Sequence, residues 1–204
     1  MNKLLTAAAI LSTLGTSPAF AQLQSHTGFS LGANMALTST NTEATVNGLN
    51  LNAAGQSSVG AAVQAAFSYA AADSILLSVG ATYSLADIEA LSFTSNSGSG
   101  SLKLRNAYSV YVEPGYPVAD KTIAFARLSY EAATMRAEAS GSTARDKDIG
   151  GAGLGFGLRT LVTKNLYLQA EARRVAYNSA RFAGDTTDFK TSMTVGSVGL
   201  GYKF

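Results

Sequence analysis

The chain has 204 residues, a formal net charge of +2 and 14% charged residues, well below the roughly 25% of soluble domains. That balance offers no basic footprint for nucleic acid, and a 47% hydrophobic content excludes disorder. No cysteine is present and His26 is the one histidine, which removes disulfides, thiolate metal clusters and most histidine metal sites.

Taken from the amino end, the first segment reads as an export signal. Lys3 supplies the positive charge, and 4–14 (LLTAAAILSTL) is an apolar run too short to span a bilayer as a helix. Pro18 then precedes Ala19-Phe20-Ala21, a small-x-small processing site. Residues 1–21 are therefore predicted to be cleaved as a signal peptide, leaving a domain 22–204 that begins at Gln22. No cysteine follows the site to accept a lipid.

Beyond Gln22 the apolar period is two. Val59, Ala61, Val63, Ala65, Phe67 and Tyr69 share one parity, and Gly60, Gln64 and Ser68 the other. Ile75, Leu77, Val79, Ala81, Tyr83 and Leu85 repeat the pattern, as do Val198, Leu200, Tyr202 and Phe204. Alternation of this length marks strands. They are predicted at 27–38, 58–70, 74–85, 102–113, 122–133, 149–160, 166–177 and 190–204. Each exceeds the roughly 9–11 residues that a tilted strand needs to cross a membrane.

The connections alternate in length. Those at 71–73, 115–121 and 161–165 are short, while 39–57, 86–101, 134–148 and 178–189 are longer and polar. Short periplasmic turns with longer extracellular loops characterise outer-membrane barrels. The prediction is an all-β fold, an eight-stranded antiparallel transmembrane β-barrel. Its bulky apolar parity should face lipid and its small or polar parity a narrow lumen. A soluble barrel would need a charged outer face that this composition cannot supply. Closure satisfies every backbone group in hydrocarbon. Aromatic girdles are expected from Phe29, Tyr69, Tyr202 and Phe204 at the periplasmic rim, and from Tyr83, Tyr130 and Tyr177 at the outer one.

The terminal GSVGLGYKF, with Val198, Leu200, Tyr202 and Phe204, resembles the C-terminal assembly signal of outer-membrane barrels. YSVYVEPGY (108–116) and NLYLQAEARR (165–174) are similar to the small opacity/OmpX-like barrels, often labelled porin family. The resemblance implies a bacterial outer-membrane location among its lipids. It also implies delivery by periplasmic chaperones and the barrel-assembly machinery. A cell-wall-binding domain of the kind that follows the barrel in the larger outer membrane protein A is not expected after Phe204.

Enzymatic outer-membrane barrels rely on a histidine with Ser, Asp or Glu partners. His26, at the start of the first strand, is expected to be a mobile terminal residue, so no catalytic group, cofactor or metal site is expected. The glycine run 150–157 lacks phosphate-loop spacing and reads as small inward positions. Asp146 and Asp148 in 144–149 read as solvated loop charges.

Parity points Lys103, Arg105, Glu113, Arg127, Glu131, Arg159, Glu171 and Arg173 inward, with bases in excess. A salt-bridged plug is the main reading, and a narrow anion-leaning pore the alternative. A lipid-modifying enzyme is a further alternative that would need a base other than His26. Turns centred near Val118 and Val162 would set Arg105 opposite Glu131, Ser109 opposite Arg127, Gly155 opposite Glu171 and Gly153 opposite Arg173. An Arg127–Glu171–Arg173 cluster follows, with Arg105–Glu131 nearer the outer mouth. The loss of Glu171 from a dry cluster of that kind should cost about 3–5 kcal/mol. The longer loops carry any adhesion or recognition, for a ligand the residues do not name.

Overall fold

The computed structural model describes residues 19–46, 49–95, 98–141, 143–181 and 188–204. Lys3, the apolar run and Pro18 of the expected signal lie outside the described residues. Ala19 and Ala21 fall in a helix, α1 (Ala19–His26), which runs across the expected cleavage site.

The strands in chain order are β1 (Gly28–Val46), β2 (Leu49–Ala72), β3 (Ile75–Ser84), β4 (Ile88–Ser95) and β5 (Gly98–Ala119). They continue as β6 (Thr122–Ala139), β7 (Arg145–Leu161), β8 (Leu166–Tyr177), β9 (Ala180–Arg181) and β10 (Asp188–Lys203). Pairing runs β1-β2-β3-β5-β6-β7-β8-β10, all antiparallel, and β10 returns to β1. Eight strands thus close a barrel. The hydrogen-bonded row starting at Leu31 passes Ala65, Ala81, Val110, Tyr130, Ala152, Ala176 and Ser192 and re-enters β1 at Asn41. That ten-residue stagger tilts the strands, by roughly 35–45° in barrels of this kind.

Several expectations change. The segments expected as long loops are largely strand: β1 and β2 pair out to Val46 and Leu49, and β6 and β7 out to Ala137 and Arg145. β-branched Thr38, Thr40 and Thr42 favour that extension, and all three are buried. The third wall strand is broken at residues 85–87. Its continuation, β4, pairs only with β5 and leans over the outer mouth, where Ala90 is fully buried.

Register also differs. Strand β5 runs through Gly115 and Pro117 and turns at Asp120 and Lys121, so Ser109 faces Glu131 and Arg105 faces Thr134. The turn between β7 and β8 spans 162–165, where Thr163 Oγ1 accepts from the backbone N–H of Leu166 at 3.0 Å. It places Gly155 opposite Arg173 and Gly157 opposite Glu171. Between Arg105 and Tyr108 a bulge inserts one residue, with Asn106 at φ 50°. A bulge exchanges the two faces of a strand beyond it. Lys103 and Arg105 therefore turn outward, while Leu102 and Leu104 turn in.

Candidate functional site

Side chains occupy the barrel interior in three layers. At the periplasmic end Leu23 of α1 packs with Leu76 and Ile123. His26 is buried beside them, which overturns the expectation of a mobile terminal residue. Desolvation, then the charges of Arg159 and Lys203, lower its pKa to about 4 against a hydrogen bond with the Lys121 backbone that raises it. His26 is neutral at pH 7.

The middle layer is charged. Glu113, 1% exposed, stands at its centre: Oε1 accepts from Arg127 Nε at 2.7 Å and from Arg127 Nη2. Its Oε2 accepts from Arg159 Nη2 at 2.8 Å. Arg127 Nη1 lies 3.1 Å from Glu171 Oε2, and Arg173 Nη1 lies 3.0 Å from Glu131 Oε1. Arg173 Nε is 3.7 Å from Glu171 Oε1. Ser129 donates to Glu131 at 2.7 Å, and Arg159 Nε to Gln169 at 2.9 Å. Asn34 donates to Gln64, which donates to the Tyr167 hydroxyl. The Arg127 guanidinium lies 3.8 Å over the Tyr111 ring. Charges at this depth require such pairing.

The expected Arg127–Glu171–Arg173 arrangement is present in space, but Glu113 and Arg159 belong to the same network. Arg105 does not pair with Glu131. It faces outward, 3.3 Å from Asp87, because the bulge reverses its parity. Lys103 likewise lies 3.7 Å from Glu138 on the outer face. Of the eight residues expected inward, three arginines and three glutamates remain, so the expected excess of positive charge disappears from that set.

The aromatic members of the network were not among the residues expected inside. Tyr111, Phe125 and Tyr167 are buried, and each shares parity with a lumen charge, which was the available signal. Each lies across from a glycine: Tyr111 from Gly80, Phe125 from Gly157, and Tyr167 from Gly201. A Cβ on Gly201 would lie 2.1 Å from Tyr167 Cζ. The glycines leave the space that the rings fill.

The outer layer is apolar: Leu102, Leu104, Ala133, Met135, Ile149, Val175, Tyr177, Met193 and Val195 pack with Ala90. Tyr177 is thus inside and not in the outer girdle. Tyr108, half exposed beside Tyr83, takes that place with Tyr130. The inversion has a physical cause. At this height Lys103, Arg105, Arg136, Glu138 and Asp146 pair on the outer wall, which marks water outside, and apolar groups are then better buried. At the periplasmic rim Phe29, Tyr69, Tyr202 and Phe204 are exposed as expected. Val198 and Leu200 are also on the outer face.

A family model described as "Outer membrane protein beta-barrel domain" matches residues 6–204. Among solved structures the chain is similar to the outer membrane protein OprG from Pseudomonas aeruginosa, with 13% identity and a TM-score of 0.54 over 87% of this chain and 96% of that one. It is similar to Neisserial surface protein A, with 14% identity and a TM-score of 0.52 over 87% and 98%. A third similar structure is Ail, the attachment invasion locus protein of Yersinia pestis, with 15% identity and a TM-score of 0.45 over 87% and 99%. For OprG and the Neisserial protein the likeness is one of fold. No curated protein sequence matches the chain.

Proposed function

The chain belongs to the family of outer membrane proteins with a β-barrel domain, and from that premise we propose a structural, surface-interacting barrel whose lumen is plugged by its own side chains. The observation that carries this reading is the stack of three side-chain layers in the lumen. Leu23 closes the periplasmic end, Glu113 ties two arginines at the middle, and the cluster under Ala90 covers the top. Among the described residues the middle layer balances three arginines against three glutamates, which favours a plug over an anion-selective pore.

The environment of His26 argues against base catalysis. A general base must take up a proton near the operating pH, and here burial and the charges of Arg159 and Lys203 oppose the imidazolium. The hairpins that extend β1–β2 and β6–β7 offer the outer end paired strands for contact with an extracellular partner. Conductance across planar bilayers tests the plug. The refolded protein should give no current steps above the bare membrane, and steady ohmic steps with ion selectivity would overturn it.

We further propose cleavage after Ala21 and recognition of Val198, Leu200, Tyr202 and Phe204 by the barrel-assembly machinery, with chaperones delivering the chain through the periplasm. The Phe204 ring is 65% exposed and packs beside its neighbours in the rim, with centroids 5.1 Å from Tyr202 and 5.9 Å from Phe29. Deleting Phe204 should therefore lower the amount assembled in cells while leaving the urea midpoint of refolded protein nearly unchanged. Unchanged surface levels would remove the recognition role.

A further inference from the structure

The outward wall, from the periplasmic aromatic band up to and including the outer one, carries one charge among the described residues, Arg174. On β8 its outward companions are Leu168, Ala170, Ala172 and Ala176. Its cross-strand neighbours are Leu154 on β7 and Thr194 on β10. Arg174 is exposed, and none of the ion pairs among described residues includes it. Every other arginine from 105 to 173 has a carboxylate partner or, at Arg145, lies beyond the membrane-facing wall.

Its height follows from the register. The row through Tyr130 and Ala152 reaches β8 at Ala176. Two strands are a quarter of the ten-residue climb per circuit, and Arg174 lies two residues back from Ala176. Arg174 is consequently level with Tyr130 in the outer aromatic band, just above Leu154, Phe156 and Val198 on the apolar wall. An unpaired cation facing hydrocarbon is unfavourable, but one at the headgroup level can reach an anion. Arginine's fork suits phosphate oxygens, and the Thr194 hydroxyl beside it supplies a second donor.

We propose that Arg174, assisted by Thr194, binds a phosphate of the outer-leaflet glycolipid, lipid A. The proposal rests on the outer-membrane placement and not on the plugged lumen, so a conducting barrel would leave it intact. Its basis is that the one charged group on the lipid-facing wall lies at the outer surface, where that lipid carries its phosphates.

Native mass spectrometry of the whole refolded mature domain tests it, with diphosphorylated lipid A, dephosphorylated lipid A and phosphatidylglycerol as probes. Wild type should retain one lipid A preferentially. Arg174→Gln should weaken retention about tenfold, as expected for one lost charge-assisted contact, and Arg174→Lys should restore part of it. Lys164→Gln, at the opposite end, should change nothing. Heat-dependent gel mobility checks that each variant is folded, which an exposed substitution should allow. Equal lipid A retention by Arg174→Gln would overturn the proposal. So would wild-type retention of dephosphorylated lipid A or phosphatidylglycerol equal to that of diphosphorylated lipid A.

Discussion

Replacing Glu113 with glutamine should lower the unfolding free energy of the barrel by about 3–5 kcal/mol, the range for breaking a buried ion pair from one side. Glu113 is 1% exposed and serves two guanidinium groups at once, Arg127 through Oε1 and Arg159 through Oε2. A glutamine oxygen can accept from one of them, but its amide nitrogen would point donors at the other. The shape is kept and the charge is not, so packing loss cannot account for the effect. Glu171→Gln should cost less than the sequence-based expectation for Glu171, because Arg127 keeps Glu113 and Arg173 keeps Glu131. Urea unfolding of protein refolded into vesicles measures both. Equal and negligible shifts would mean that water, not protein, solvates these charges.

A methyl group on Gly80 should be nearly as damaging. The Cβ of Gly80→Ala would lie 2.5 Å from the Ala65 carbonyl oxygen and 2.6 Å from the Tyr111 hydroxyl and Cζ. Backbone cannot yield as a flexible side-chain tip can, and Tyr111 is held under Arg127. Overpacking of this type costs about 1–3 kcal/mol, and the displaced ring would also disturb the arginine that Glu113 binds. Gly196→Ala is the control, since its Cβ would meet nothing within 4 Å; it should stay within about 0.5 kcal/mol of wild type. A Gly80→Ala midpoint equal to that of Gly196→Ala would show that the β2–β3 seam relaxes freely.

These effects depend on neighbours that lie far apart along the chain, which separates what the residues alone decide from what the closed barrel adds. The alternation in 58–70, 74–85 and 198–204 was legible because a wall with lipid on one side and a narrow lumen on the other imposes period two on every strand. Strand β8 has its expected bounds, Leu166–Tyr177. The inward direction of Glu113, Arg127, Glu131, Arg159, Glu171 and Arg173 followed from the same parity. Parity says which face a residue joins but not which residue it meets.

Partner choice came from tertiary structure. Turning at Asp120 and Lys121 instead of near Val118 changes every β5–β6 pair, and the extra residue at Asn106 removes Lys103 and Arg105 from the lumen. The apolar cluster around Met135, Val175 and Tyr177 was hidden because the solvent on the outer wall changes from lipid to water partway along a single strand. The closed antiparallel barrel and its two faces are written in a pattern that each strand carries locally. Only the folded chain decided the salt-bridge partners and the burial of Leu23 and His26, because one residue of register moves a side chain to another neighbour while leaving its local pattern intact.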